Sequence, residues 1–147
     1  MSDMAKCITL RGEAGYSEVS MMAKAVAAMY QLSALPAKDA CLVELAVVEV
    51  GNNIVEHAYG DKPGGLLELR YLQAECSIEI VLVDEGVPMP KEMQARVACA
   101  ELQQMDPGDP ATWTTSGRGL GIVNEVMDGQ SYRREGNKNY FRMIKQA

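Results

Sequence analysis

The chain has 147 residues, 48% of them hydrophobic, and a formal net charge of −6, which argues against nucleic acid and against an anionic membrane surface, since both ask for a basic footprint. A chain of this length supports one domain over residues 1–147, with a core that removes roughly 70% of the unfolded surface from water. No apolar run reaches the roughly 20 residues of a membrane span, and the N-terminus MSDMAKCITL lacks the apolar centre of a signal peptide, so a cytoplasmic protein is expected.

Residues 5–11, AKCITLR, alternate as a short edge strand does. Ser17 is then the expected N-cap of a helix running to about Leu32, with Val19, Met22, Val26 and Met29 at spacings of three and four. After the break at Ser33 to Leu35, Pro36 suits the first turn of the next helix, because its missing N–H would go unpaired there. The run ELAVVEVGNNIVEHAY from Glu44 to Tyr59 organises the chain. Glu49 and Asn53 stand four apart, so their side chains point the same way, with Asn52 and Glu56 flanking them. Round the same helix runs an apolar stripe of Val43, Val47, Val50, Ile54 and Ala58, the face a helix buries against a sheet. Gly60, Pro63 and Gly64 end the helix.

Gly65 to Leu72 and Cys76 to Val83 alternate apolar and polar residues and read as a hairpin closed by Gln73 to Glu75. The second strand turns apolar on both faces at Val81 and Val83, as a central strand does, and ends in Asp84-Glu85-Gly86. That end is either a plain turn or a strand-end carboxylate with its backbone open to a ligand. Lys91 to Gln104 has helical spacing. Residues 105–117, which contain Trp113, Thr114, Thr115 and Ser116, are rich in proline and glycine and read as either a functional lid or a disordered segment. Gly117-Arg118-Gly119-Leu120-Gly121 leads from it into a helix that stops at Asp128-Gly129. Ser131 to Arg134 and Asn139 to Ile144 then form a hairpin around Glu135-Gly136-Asn137. Cys7, Cys41, Cys76 and Cys99 are too far apart for a C-x-x-C pair, and Cys41 and Cys76 are expected to pack as small hydrophobes. The ten methionines are either core filler or an adaptable interaction surface.

A glycine-rich junction into a helix can hold phosphate oxygens on its unpaired N–H groups. Alone it is a weak signal, and neither the Rossmann nor the P-loop pattern fits it. Its force comes from order: Glu49 and Asn53, then Asp84-x-Gly86, then Gly117-x-Gly119-x-Gly121, at comparable distances along the chain. In this the chain resembles the GHKL ATPase and kinase superfamily, whose nucleotide site is built from an E-x-x-x-N helix, a D-x-G turn and a G-x-G-x-G loop. The resemblance covers nearly the whole chain and is nearest to the stand-alone serine kinases that act as anti-sigma factors, which share the run of Glu49 and Asn53 followed by His57-Ala58-Tyr59.

The resemblance implies ATP and Mg²⁺ as ligands. Asp84 would accept a hydrogen bond from the adenine amino group, and Gly86 would let the base approach the backbone. Asn53 would coordinate Mg²⁺. Gly117, Gly119 and Gly121, with the amides of Arg118 and Leu120 between them, would cradle the phosphates, and Glu49 would be the general base. Arg118 either reaches a phosphate or stays solvated; His57, the only histidine, is expected to pack or hydrogen-bond at the helix end. Three positions depart from the superfamily pattern: Ile54 follows the asparagine where alanine is usual, Pro88 stands where many relatives have glycine, and Asn139 is offered in place of a threonine on the last strands.

A phosphoacceptor histidine on a dimerisation helix is not found, and the chain ends where the fold is complete, which disfavours a sensor kinase and a multidomain motor. The resemblance implies a serine/threonine protein kinase and anti-sigma factor of a partner-switching pathway. Its substrate would be a STAS-domain anti-sigma-factor antagonist, with a sigma factor or other output protein as second partner, and homodimerisation through the first strand and helix is a further expectation. The alternative is a nucleotide-gated protein-binding module without phosphoryl transfer. The fold implied is a two-layer α/β (α+β) sandwich of Bergerat type, with a mixed, mostly antiparallel sheet of about five strands and helices on one face.

Overall fold

A computed structural model describes residues 5–98 and 116–147, with backbone alone at 98 and 116–120. Strand β1 (Lys6–Glu13) leads into helix α1 (Tyr16–Tyr30), a short 3₁₀ turn (Ala37–Asp39) and helix α2 (Ala40–Asn53). A π-helical turn (Ile54–Ala58) prolongs α2, after which come β2 (Leu66–Gln73), β3 (Ser77–Asp84), α3 (Lys91–Ala98), α4 (Ser116–Val126), β4 (Gly129–Glu135) and β5 (Lys138–Gln146). The five strands lie in the order β1-β2-β3-β5-β4. Every pairing in that sheet is antiparallel among the described residues, in keeping with the mostly antiparallel sheet of about five strands expected from the sequence.

The alternating strands put Leu67, Leu69 and Tyr71 of β2, Ile78, Ile80 and Leu82 of β3, and Phe141 and Met143 of β5 on one face. These join Val19, Met22 and Val26 of α1 and Val43, Val47 and Val50 of α2 in one core, because a helical stripe and a strand face each bury apolar surface only against the other. The opposite sheet face is charged: Arg70 pairs with Glu68 at 2.6 Å and Arg142 with Glu79 at 2.7 Å. Beside them the Arg133 guanidinium lies 4.1 Å from the centroid of the Tyr140 ring. β3 is the middle strand, which is why it is apolar on both faces, with Val83 buried on the side away from the helices.

Several local expectations shift. Gly15, not Ser17, is the N-cap of α1, and Ser17 lies inside the helix with its hydroxyl directed to Glu18. Pro36 sits ahead of the 3₁₀ turn and accepts the Asp39 amide through its carbonyl. The organising helix is α-helical only to Asn53; beyond it the π-helical turn ends at Gly60 (φ 60) and Asp61 (φ 62), whose left-handed backbone takes the chain out of the helix. Helix α3 is described to Ala98, and the remainder of its expected span lies outside the described residues. Cys7, Cys41 and Cys76 are exposed, so the latter two are not core residues: Cys41 occupies the outer side of α2 and Cys76 the β2–β3 turn. No helix of the described residues is long and apolar enough to cross a membrane.

Strand register and helix packing each fix one part of the frame around the polar residues. The β4–β5 turn has only Gly136 and Asn137 between paired Glu135 and Lys138, with Gly136 at φ 63, and this sets Arg134 opposite Asn139. Asn139 is in turn opposite Asp84, so three adjacent strands bring Arg134, Asn139 and Asp84 into one row. Helices α1 and α2 meet at Gly51, where a Cβ would stand 2.6 Å from Val19 Cγ1 and 2.9 Å from Cγ2. Gly51→Val is therefore expected to lower stability by about 1–3 kcal/mol through overpacking, read as a fall in the urea midpoint with an unchanged slope.

Candidate functional site

Helix α2 and its π-helical turn form one wall of a cavity of about 300 Å³. Val50, Asn53, Ile54, His57 and Ala58 line it from this side. Asn53 is half-buried at the last α-helical position, and among the described residues its side chain has no hydrogen bond. Among the described residues nothing competes for its oxygen. Glu49, one turn earlier, is half-buried too, makes no hydrogen bond or ion pair with the described residues, and lies outside the cavity lining. His57 is half-exposed at the cavity rim, with Nε2 3.8 Å from the Glu56 carboxylate. That places it in the lining instead of in a purely packing role.

The facing wall is the loop from Glu85 to Pro90, and every backbone N–H in it is accounted for. The Glu85 amide donates to the Tyr59 hydroxyl at 2.7 Å, which itself donates to the Leu66 carbonyl at 2.6 Å. The Gly86 amide donates to Asp84 Oδ1 at 2.9 Å, the Val87 amide to the Ala58 carbonyl at 2.8 Å, and the Met89 amide to the Tyr132 hydroxyl at 2.8 Å. Pro88 and Pro90 have no N–H to satisfy. The loop thus presents the cavity with apolar side chains from Val87 to Pro90 and no free amide donor. Gly86 is required by close approach, since a Cβ there would collide with the Ala58 carbonyl oxygen.

At the floor lies Asp84, 3% exposed, beside Asn139, 1% exposed; they are the buried polar residues among those described. Asn139 Nδ2 donates to Asp84 Oδ1 at 2.8 Å and to the Gly86 carbonyl at 3.0 Å. Asn139 Oδ1 accepts from the Tyr132 hydroxyl and from Arg134, both at 2.9 Å, and Arg134 also donates to the Gly86 carbonyl at 3.1 Å. Two acceptors on one side and two donors on the other leave the amide a single orientation. Burial pushes the Asp84 carboxyl above the ordinary carboxylate range, against the pull of the Asn139 and Gly86 hydrogen bonds and the Arg134 charge. Both hydrogen bonds to Asp84 land on Oδ1, leaving Oδ2 without a partner among the described residues on a residue that lines the cavity.

The structure brings Asn53 and Asp84 to opposite sides of one cavity, with Gly86 locked to the helix end and Glu49 one turn away. The helix expected from Gly119 begins three residues earlier, at Ser116, so that Gly117 and Arg118 also fall within the first turn of α4, and α4 packs beside α2. The first amides of a helix lack intrahelical partners whichever residue begins it, so the anion-binding end moves earlier in the chain. Lid residues 105–115, Trp113 among them, lie outside the described residues. Sequence reading did not find Tyr59, Tyr132 or Arg134. The signal for the last two was the two-residue β4–β5 turn, which dictates what stands opposite Asn139. Tyr59 stood in the shared run His57-Ala58-Tyr59, but nothing in the apolar periodicity marked the π-helical turn that brings its hydroxyl to Leu66 and Glu85.

Comparison with known proteins gives a consistent result. The family described as histidine kinase-like ATPase domain matches residues 13–145. No curated protein matches the chain. Among solved structures, the nucleotide-free catalytic domain of the histidine kinase ThkA aligns over 93% of this chain and 95% of its own, with a TM-score of 0.55 and 12% identity. At that identity the likeness is one of fold.

Two outcomes are expected from this geometry. Gly86→Ala breaks the seat of the loop on the helix end, so the Val87 and Met89 amides should exchange with deuterium faster while amides of β2 and β3 keep their protection. Asp84 is the pH-sensitive group: its folded carboxyl titrates above its unfolded value near 4, so the folded state holds the proton longer. Stability of the ligand-free protein should fall as pH rises from that unfolded value through the raised folded one. In denaturation curves across that range, Asp84→Asn should remove this component of the slope.

Proposed function

The chain belongs to the histidine kinase-like ATPase domain family, and from that premise we propose that it is an ATP-dependent serine/threonine protein kinase acting on a separate protein. The observation that carries this reading is the convergence of Asp84, Asn53 and the apolar loop on one cavity, with Glu49 on the same helix one turn from Asn53. The cavity has the polarity of a purine site: apolar walls for the ring faces and one buried carboxylate at the floor for an amino group. Asp84 Oδ2 accepts from the exocyclic amino group, and the loop carbonyls and side chains cover the base. Phosphates extend past Asn53 towards the N-terminal end of α4, where the first amides of the helix, those of Ser116 to Arg118, have no intrahelical partner and supply N–H donors.

A hard cation that keeps most of its waters needs only one or two protein oxygens, and the Asn53 carbonyl, without a partner among the described residues, suits that role. Bound there, Mg²⁺ neutralises phosphate charge. Glu49 removes the proton from the hydroxyl of a serine or threonine; that oxygen forms a bond to the γ-phosphorus as the bond from phosphorus to the bridging oxygen breaks, and ADP leaves. Glu49 has no competing ion pair among the described residues, which supports its availability as base. By the resemblance of its motifs, the substrate is a STAS-domain anti-sigma-factor antagonist, and the protein alternates between that partner and a sigma factor or another output.

Calorimetric titration with MgATP, followed by mass measurement of the STAS partner, tests the reading. Wild type and Glu49→Ala should bind saturably and Asp84→Asn should not, while Glu49→Ala should slow phosphoryl transfer by about 10²- to 10⁴-fold. Absence of binding by the folded wild type would make this a nucleotide-independent interaction module. Binding with no mass gain on the partner would make it a nucleotide-gated binder.

A further inference from the structure

We propose that Asn139, with Arg134 and Tyr132 behind it, is a positioning residue that holds the Asp84 carboxylate in the orientation that selects a base bearing an exocyclic amino group. The proposal rests on the nucleotide reading of the cavity and adds the residues that set its base specificity.

Asn139 is saturated. Its two N–H groups go to Asp84 Oδ1 and the Gly86 carbonyl, and its carbonyl oxygen takes Tyr132 and Arg134. No donor or lone pair remains for a ligand, so it cannot read the base itself. What it can do is fix the group that reads. A carboxylate on Cβ turns about one bond, and two hydrogen bonds on Oδ1, from Asn139 and from the Gly86 amide, hold that oxygen away from the ligand. Oδ2 is then the oxygen left for the cavity. An oxygen without a donor of its own can accept a ligand amino group and repels a ligand carbonyl.

The row of Asp84, Asn139 and Arg134 across three strands gives this arrangement its stiffness. Arg134 is exposed, yet it donates to both Asn139 Oδ1 and the Gly86 carbonyl, so it closes the amide's orientation from the solvent side. Tyr132 does the same from below while its oxygen accepts the Met89 amide, which ties the loop wall to the same network. Replacing the donor amide by an alkyl group of similar size leaves Asp84 with a single fixed bond and frees it to rotate.

The experiment compares MgATP with the Mg²⁺ complex of purine riboside triphosphate, which lacks only the amino group, by calorimetry on wild type, Asn139→Leu and Arg134→Met. Wild type should prefer ATP. Asn139→Leu should lose about ten- to a hundredfold in ATP affinity, the worth of a hydrogen bond to a charged group, and nothing for the analogue, so that the preference collapses. Arg134→Met, at an exposed position that leaves the core intact, should show a smaller collapse of the same kind, and carries the test if Asn139→Leu does not fold. The proposal is overturned if the folded variants keep the wild-type preference, or if they lose both nucleotides equally, which is what general loosening of the site would do. A wild type that binds neither nucleotide, or both alike, would instead overturn the adenine reading on which it rests, and that is seen before any variant is made.

Discussion

Burying a carboxylate at the end of the central strand is the constraint around which this molecule is arranged. An ionised side chain taken out of water costs several kcal/mol unless its lone pairs are met, and Asp84 is 3% exposed. The response occupies three strands and a loop: the Gly86 amide turns back onto the carboxylate, Asn139 meets it from β5, and Arg134 and Tyr132 complete Asn139 from β4. The same hydrogen bonds draw the loop after β3 into a fixed course. Among the described residues both hydrogen bonds to Asp84 fall on Oδ1 of a residue that also lines the cavity, the kind of perturbed carboxyl in a cleft that marks a candidate site.

Helix α2 meets a different demand with the same economy. Fourteen residues bury Val43, Val47 and Val50 against the sheet and keep Glu49 and Asn53 half in solvent. A regular α-helix continued past Asn53 would carry Ala58 and Tyr59 round to other directions. The π-helical turn widens the last stretch, so that the Ala58 carbonyl meets the Val87 amide and the Tyr59 hydroxyl spans the start of β2 and the end of β3. Helix end and strand end are thereby fixed to one another, which is what keeps Asn53 and Asp84 at opposite sides of the cavity.

What could be read from the sequence depends on what kind of interaction writes it there. The hairpins, the central strand and the stripe of α2 come from period-two and period-3.6 burial, which the order of residues records directly; the strands were legible within a residue or two at their ends, while α2 begins four residues after Pro36 and gives way to the π-helical turn after Asn53. The pairing of Glu49 with Asn53 was legible because helical spacing is local. Asp84 drew attention only as an acid after an apolar strand; its partner Asn139 is 55 positions away, and such contacts appear only when strands are laid side by side. Cys41 and Cys76 went astray for the complementary reason: apolar neighbours in sequence do not say which side of an element faces out. The glycine-rich run entered helix α4 earlier than its composition indicated, since tertiary packing beside α2 overrides weak helix propensity.

The loop from Glu85 to Pro90 is held entirely from outside itself, by a tyrosine of the helix end, a carbonyl of the π-helical turn and a tyrosine of β4. The hydrogen bonds that fix its course therefore do not draw on its own side chains at Val87, Pro88, Met89 and Pro90, which line the cavity. Exchange of those four side chains would alter the cavity lining without removing any of the acceptors that fix the course of the wall.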